Sequence, residues 1–130
     1  RMYNGTWTNI LDPAFAAYVD TEIDRALTIA GSTGARVVLF TTPYYRRGFD
    51  PAGGLWPEDH QVRVDAINML MRNTAVRRGI PVVELGAWFS PAGQYTPDVA
   101  GVKVRSDGVH LTRQTGPLLA PWLFPQLAAL

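Results

Sequence analysis

Two residues of this chain are spaced for acid–base chemistry. Asp107 and His110 stand three apart in the run Val104-Arg105-Ser106-Asp107-Gly108-Val109-His110-Leu111-Thr112. Proton transfer near neutral pH calls for an imidazole, and the imidazole needs an anion to fix its tautomer and orientation. An Asp-x-x-His spacing lets the carboxylate reach the ring nitrogen that faces away from a substrate. The plainer alternative is a surface aspartate and histidine that cap the helix that follows. On spacing alone that alternative is the commoner arrangement.

A nucleophile for such a pair is hard to find. The serines are Ser32, Ser90 and Ser106. Ser32 lies in Gly31-Ser32-Thr33-Gly34, which leads from a helix into a strand and so belongs at the wrong end of a sheet. Ser90 follows Trp88-Phe89 and precedes Pro91, as a turn residue would. Ser106 adjoins Asp107 and would compete with it for the same histidine. None stands in a strand-to-helix elbow. A metal centre has no better footing, because His60 and His110 are the only histidines and no His-x-x-x-His pair exists. The Gly31–Gly34 turn lacks the lysine of a phosphate-binding loop. No cofactor is expected. Tyr44, Tyr45, Trp56 and Trp88 could line a sugar-binding surface, although packing is the usual role of such rings.

The elements that must position these residues follow from pattern. With 130 residues, a net charge of +1 and 47% apolar residues, the chain suits one globular domain. Scattered basic residues give no support to nucleic-acid binding, and the doublets Arg46-Arg47 and Arg77-Arg78 read as solvated surface. The absence of cysteine excludes disulfides and thiolate metal sites. The apolar stretch 116–130 is too short to span a bilayer and carries Pro117, Pro121 and Pro125, as a docking segment would.

Asn4-Gly5 marks a turn, and Asp12-Pro13 marks a helix start, aspartate at the cap and proline at the first helical position. Phe15, Val19, Ile23, Ala26, Leu27 and Ala30 give that helix one apolar face, and Gly31 and Gly34 stop it. Val37–Phe40 reads as a short parallel strand. A long loop over 46–55 follows, with Gly48, Pro51, Gly53 and Gly54. A second helix is expected to begin near Pro57-Glu58-Asp59, with a stripe of Val64, Ile67, Leu70, Met71 and Ala75 and an end at Gly79. Pro81–Leu85 reads as a second strand, residues 88–95 as a turn-rich excursion, and Val102–Arg105 as one arm of a hairpin. A terminal helix, bent or delayed by its prolines, ends the chain. Such alternation predicts an α/β fold with a parallel sheet, and two strands are too few for a whole one.

Ser106-Asp107-Gly108-Val109-His110-Leu111-Thr112 resembles the last conserved block of the SGNH hydrolases, the GDSL-type esterases. Residues 34–44 resemble that family's penultimate core strand. Arg63-Val64-Asp65-Ala66-Ile67-Asn68 resembles the helix after it, which often carries an arginine and an asparagine. Val82-Val83-Glu84-Leu85 resembles the last strand, with Glu84 where aspartate is more usual. The likeness covers most of residues 12–125 and is closest to the SGNH domain fused to bacterial acyltransferase family 3 membrane proteins.

The resemblance implies that residues 1–130 are the C-terminal part of a single flavodoxin-like three-layer α/β/α sandwich with a parallel sheet. It implies an O-acyltransferase or esterase acting on acyl, commonly acetyl, esters of cell-envelope glycans, with Asp107 and His110 as two members of a Ser-His-Asp triad. Loops 42–56 and 86–101 would then shape the acceptor site. The implied partners are a glycan or acyl-ester substrate, the N-terminal half of the domain and a membrane acyltransferase domain, and the implied location is extracytoplasmic. The Gly-Asp-Ser block and the blocks supplying the glycine and asparagine of the oxyanion hole have no counterpart here, so the chain alone is expected to be inactive. Two other classes stay open: a non-catalytic module that binds glycan or docks on a membrane partner, and a fragment that completes its sheet by pairing with another chain.

Overall fold

Asp12 opens the first helix as its neighbours require. Its carboxylate accepts from the Phe15 amide at 2.9 Å, and Pro13 stands at the first helical position. In the computed structural model, which describes residues 1–48 and 54–130, helix α1 then runs from Pro13 to Gly31. Pro51 and Gly53 of the expected loop lie outside the described residues.

The described residues group into two compact units, one of 1–42 and 62–83, the other of 43–61 and 84–130. In the first, strands β1 (Met2–Tyr3) and β2 (Thr6–Trp7) pair antiparallel. Asn4 and Gly5 both have positive φ, the backbone of a two-residue hairpin turn. Tyr3 seats this hairpin on α1, its ring centroid 5.5 Å from that of Phe15 and 4.9 Å from that of Tyr18.

Strand β3 (Leu39–Phe40) pairs in parallel with β4 (Val82–Val83). The ladder extends through Leu39 N–H to Pro81 O and Thr41 N–H to Val83 O, both 3.0 Å. The architecture is mixed α/β, with four helices and three two-stranded sheets among the described residues, one of the sheets parallel. The expected second strand is shorter than Pro81–Leu85, because Glu84 already caps a helix. No large parallel sheet forms among the described residues.

Helix α2 (Gln61–Arg78) follows a single 3-10 turn at Pro57–Asp59, so the acids expected at its start belong to the turn before it. Its end is a left-handed glycine cap. Gly79 has φ of +63°, Ile80 N–H reaches Ala75 O at 2.9 Å, and Gly79 N–H reaches Val76 O at 3.3 Å. The basic doublet Arg77-Arg78 sits in its last turn, where the helix dipole favours cations. Both arginines are exposed but partnered: Arg77 binds Asp20, and Arg78 makes a two-pronged contact with Asp24 at 2.7 and 2.9 Å. These pairs and a 2.6 Å bond from Thr74 to Asp20 tie α2 to α1.

Asn68 interrupts the apolar stripe of α2, four residues after Val64, and is buried. Its carboxamide accepts from Thr42 N–H at 2.7 Å and donates to Thr42 O at 2.9 Å. A side chain thereby does for Thr42 what a neighbouring strand would do, which satisfies a backbone just past the end of β3.

In the second unit, α3 (Leu85–Phe89) replaces part of the expected turn-rich excursion, and β5 (Asp98–Val99) pairs with β6 (Val102–Lys103). Ala100 and Gly101, both at positive φ, make the turn between them. Phe89, Val99 and Val104 form the buried core, with Leu85, Trp88 and Leu118 packed against it.

Helix α4 (Thr115–Ala128) is continuous through Pro121 and Pro125. Pro117, Pro121 and Pro125 recur every four residues and are all exposed. The bonds lost at Pro121 and Pro125 therefore free the carbonyls of Pro117 and Pro121 on one solvent-facing side, where water can satisfy them. Among the described residues no helix is long and apolar enough to cross a membrane.

Candidate functional site

The Asp107–His110 turn is built from a buried anchor outward. Val104 is fully buried, and its carbonyl accepts from Thr112 N–H at 3.0 Å and from the Thr115 hydroxyl at 2.9 Å. The Thr112 hydroxyl covers the carbonyl of Lys103 at 2.7 Å. One step out, Arg105 and Leu111 face each other in an antiparallel bridge, and Ser106 N–H closes the loop onto His110 O at 3.0 Å. Residues 107–109 are left to reverse the chain.

Asp107 makes that reversal possible and orients the histidine in the same act. One carboxylate oxygen accepts from the amides of Val109 (3.0 Å) and His110 (2.8 Å), the pattern of an aspartate-capped turn. The other meets His110 Nδ1 at 2.7 Å. With Nδ1 held as the donor, Nε2 carries the lone pair and faces away from the carboxylate. Both side chains are largely exposed, His110 at 79% and Asp107 at 56%, so Nε2 is accessible. Neither caps α4, which starts at Thr115 with no side-chain bond from its capping residue Gln114.

The ring of His110, then the His110 amide, then the Val109 amide hold the Asp107 carboxyl well below the usual carboxylate range. A group depressed in this way contributes stability above its unfolded value, and that contribution is lost as pH falls through the lower folded value. On acidification from pH 7 through about 4, where ordinary aspartates protonate, the Asp107 carboxyl carbon should show no titration by 13C NMR. Titration in the ordinary aspartate range would contradict the three-bond geometry.

Gly108 is the residue the turn cannot exchange. Its φ is +88°, and a Cβ there would lie 1.7 Å from the Arg46 carbonyl oxygen and 3.3 Å from the Tyr95 hydroxyl. Arg46 N–H donates to Gly108 O at 3.0 Å, so this close approach fastens the 43–48 segment to the turn.

Beneath the turn lies Arg105, 4% exposed, with Nη1 donating to Val109 O at 3.2 Å. Its Nε and Nη2 have no hydrogen-bond partner among the described residues. The guanidinium is 4.9 Å from the Phe89 ring centroid and 5.9 Å from that of Tyr95, so two ring faces stand in for an anion. Burial lowers its pKa.

Beside the turn a cavity of about 200 Å³ is lined by Tyr45, Leu55, Asp59, Gln61, Gln94 and Tyr95, with Arg46 at its wall. Most of these come from the loops expected at 42–56 and 86–101. Tyr45 is the one aromatic of the four candidates to line it. Trp88 packs on Phe89 and Trp122, and Trp56 lies under the Arg47 guanidinium.

The structure brings Asp107 and His110 together and brings no serine to them. Ser32 donates to Ile29 O, Ser106 donates to the backbone oxygen of His110, and the buried Ser90 hydroxyl has no partner among the described residues. His60 is exposed, and no group of ligating side chains able to hold a metal occurs among the described residues. Arg105 and Asp59 are buried although both are of a type that normally stays in water, so the sequence does not mark them. No protein-family model, curated protein or solved structure matches the chain.

Proposed function

We propose that this chain carries the histidine and aspartate of an SGNH-type acyl-transfer site, acting on acyl esters of cell-envelope glycans. The observation that carries the reading is the 2.7 Å contact of Asp107 with Nδ1, which leaves Nε2 as an accessible base. The Ser-Asp-Gly-Val-His-Leu-Thr run and the Asn68-bearing helix after a parallel strand lend it support, and so does the parallel pair itself. The finer fold belongs to the same proposal: a flavodoxin-like three-layer sandwich of which this chain is the C-terminal part.

In this reading His110 Nε2 takes the proton from a serine hydroxyl as that oxygen attacks the acyl carbonyl. It then gives the proton to the departing alkoxide, which leaves an acyl-serine ester. An acceptor hydroxyl, from a sugar or water, next loses its proton to Nε2 and attacks the ester. The serine oxygen leaves and takes the proton back. Asp107 holds the ring and stabilises its charged form through each transfer. The serine must come from outside these residues, as must the oxyanion donors. An extracytoplasmic location beside a membrane-bound acyl donor fits an acceptor in the cell envelope. The test is turnover of aryl acetates by a chain extended to include the nucleophile block. An extended chain with no turnover would overturn the reading.

A second reading, a glycan-binding module without catalysis, is favoured by one observation. No serine hydroxyl of this chain meets the imidazole, whereas a polar cavity adjoins the turn.

A further inference from the structure

We infer that the cavity beside the Asp107–His110 turn is a binding site for one polyhydroxyl ring, read by Asp59 through a hydrogen bond from a ligand hydroxyl. Asp59 is the unusual member of the lining. Its side chain is fully buried, one oxygen accepts from Arg47 N–H at 2.8 Å, and the other has no hydrogen-bond partner among the described residues. A buried carboxylate oxygen without a donor is costly, so a missing donor is to be expected there.

That carboxylate shares one cation with Glu58, which pairs with the same Arg47 guanidinium. Arg47 Nε stands 3.5 Å from the same oxygen, beyond good hydrogen-bond geometry but close enough to act as a counter-charge. What the oxygen lacks is a hydrogen-bond donor at good distance. Gln61 and Gln94 each offer an amide that donates and accepts, and Tyr45 and Tyr95 each offer a hydroxyl and a ring face. The Tyr95 hydroxyl is protonated at neutral pH and can donate, and burial raises its pKa further. Among the described lining residues Leu55 is the only aliphatic one. This mixture suits a neutral ligand with several hydroxyls and an apolar ring edge. A volume of about 200 Å³ holds one ring, not a chain of them.

The cavity is fastened to the candidate catalytic turn. Arg46, from its wall, donates to Gly108 O, and the Tyr95 hydroxyl stands next to Gly108. On the acyl-transfer reading, on which this placement rests, the site holds the acceptor sugar beside the turn that carries His110.

The test is a 15N–1H NMR titration of the 130-residue chain with methyl α-D-glucopyranoside, with tetrahydropyran-2-methanol as the hydroxyl-poor control. Saturable shifts at the amides of Asp59, Gln61, Gln94 and Tyr95 are expected for the glucoside alone, with a Kd on the order of millimolar. Asp59→Asn should weaken binding by about tenfold, the loss of one good hydrogen bond. Gln94→Ala, at an exposed position with no bond that holds the fold, should weaken it without changing the rest of the spectrum. The absence of saturation, equal binding of the control, or unchanged affinity in both variants would overturn the inference. Because the titration involves no turnover, its failure leaves the acyl-transfer reading standing. Conversely, a dead extended enzyme whose chain still binds the glucoside removes the catalytic reading and keeps the site.

Discussion

His110→Ala in a chain that includes the nucleophile block should lower ester turnover by roughly a millionfold, the loss seen when a triad loses its base. The size follows from the geometry, since Nε2 is the one ring nitrogen not engaged by Asp107. Asp107→Asn should cost less, roughly a thousand- to ten-thousandfold. A carboxamide can keep an oxygen on the Val109 and His110 amides, but then presents its NH2 to Nδ1. That favours the tautomer with the proton on Nε2, which cannot act as a base. The two effects should not add, because a ring with no orienting carboxylate and no ring at all fail at the same step. Turnover in His110→Ala within tenfold of the parent would remove the histidine from the mechanism.

Gly108→Ala should have the largest effect on the turn itself. Two costs combine: a left-handed backbone for a residue with a Cβ, and a Cβ placed 1.7 Å from the Arg46 carbonyl oxygen. Backbone must move, and the Arg46–Gly108 hydrogen bond goes with it. A loss of roughly 2–4 kcal/mol is expected, the scale of a strained backbone combined with a steric clash. The surface turn can relax locally, so NMR should register the change before the melting temperature does. The Val109 and His110 amides should lose protection from exchange while Val104, the buried anchor, keeps it. Undisturbed protection at both turn amides would contradict the close approach of Arg46.

Local chemistry made much of this fold legible in the sequence. Asp12-Pro13 announced α1, Asn4-Gly5 announced a turn, and Gly79 announced the end of α2, because capping and turn residues act on their immediate neighbours. Of the strand expected over Pro81–Leu85, Val82-Val83 forms β4 and only the end misled, since Leu85 belongs to α3 and packs against its buried core. Ala100 gave no warning of a turn, because alanine is an expensive choice at positive φ.

At the candidate site, Asp107 and His110 were readable because the spacing of three is itself the geometry. Asp59 and Arg105 were not. A charged side chain is assigned to water unless something shows it buried, and what buries these two comes from distant positions. Asn68 did leave a trace. A polar residue at a buried position of a helical stripe asks for a partner, and Thr42, 26 residues away, supplies it on both sides of one carboxamide.

Labelling with a fluorophosphonate, followed by peptide mass spectrometry on the extended chain, asks whether His110 activates a serine. Such reagents react with a serine that a neighbouring base has activated. One labelled serine is expected, outside these 130 residues, with loss of that label in His110→Ala. Labelling that is indifferent to His110, or that falls on Ser32, Ser90 or Ser106, would contradict the acyl-transfer reading.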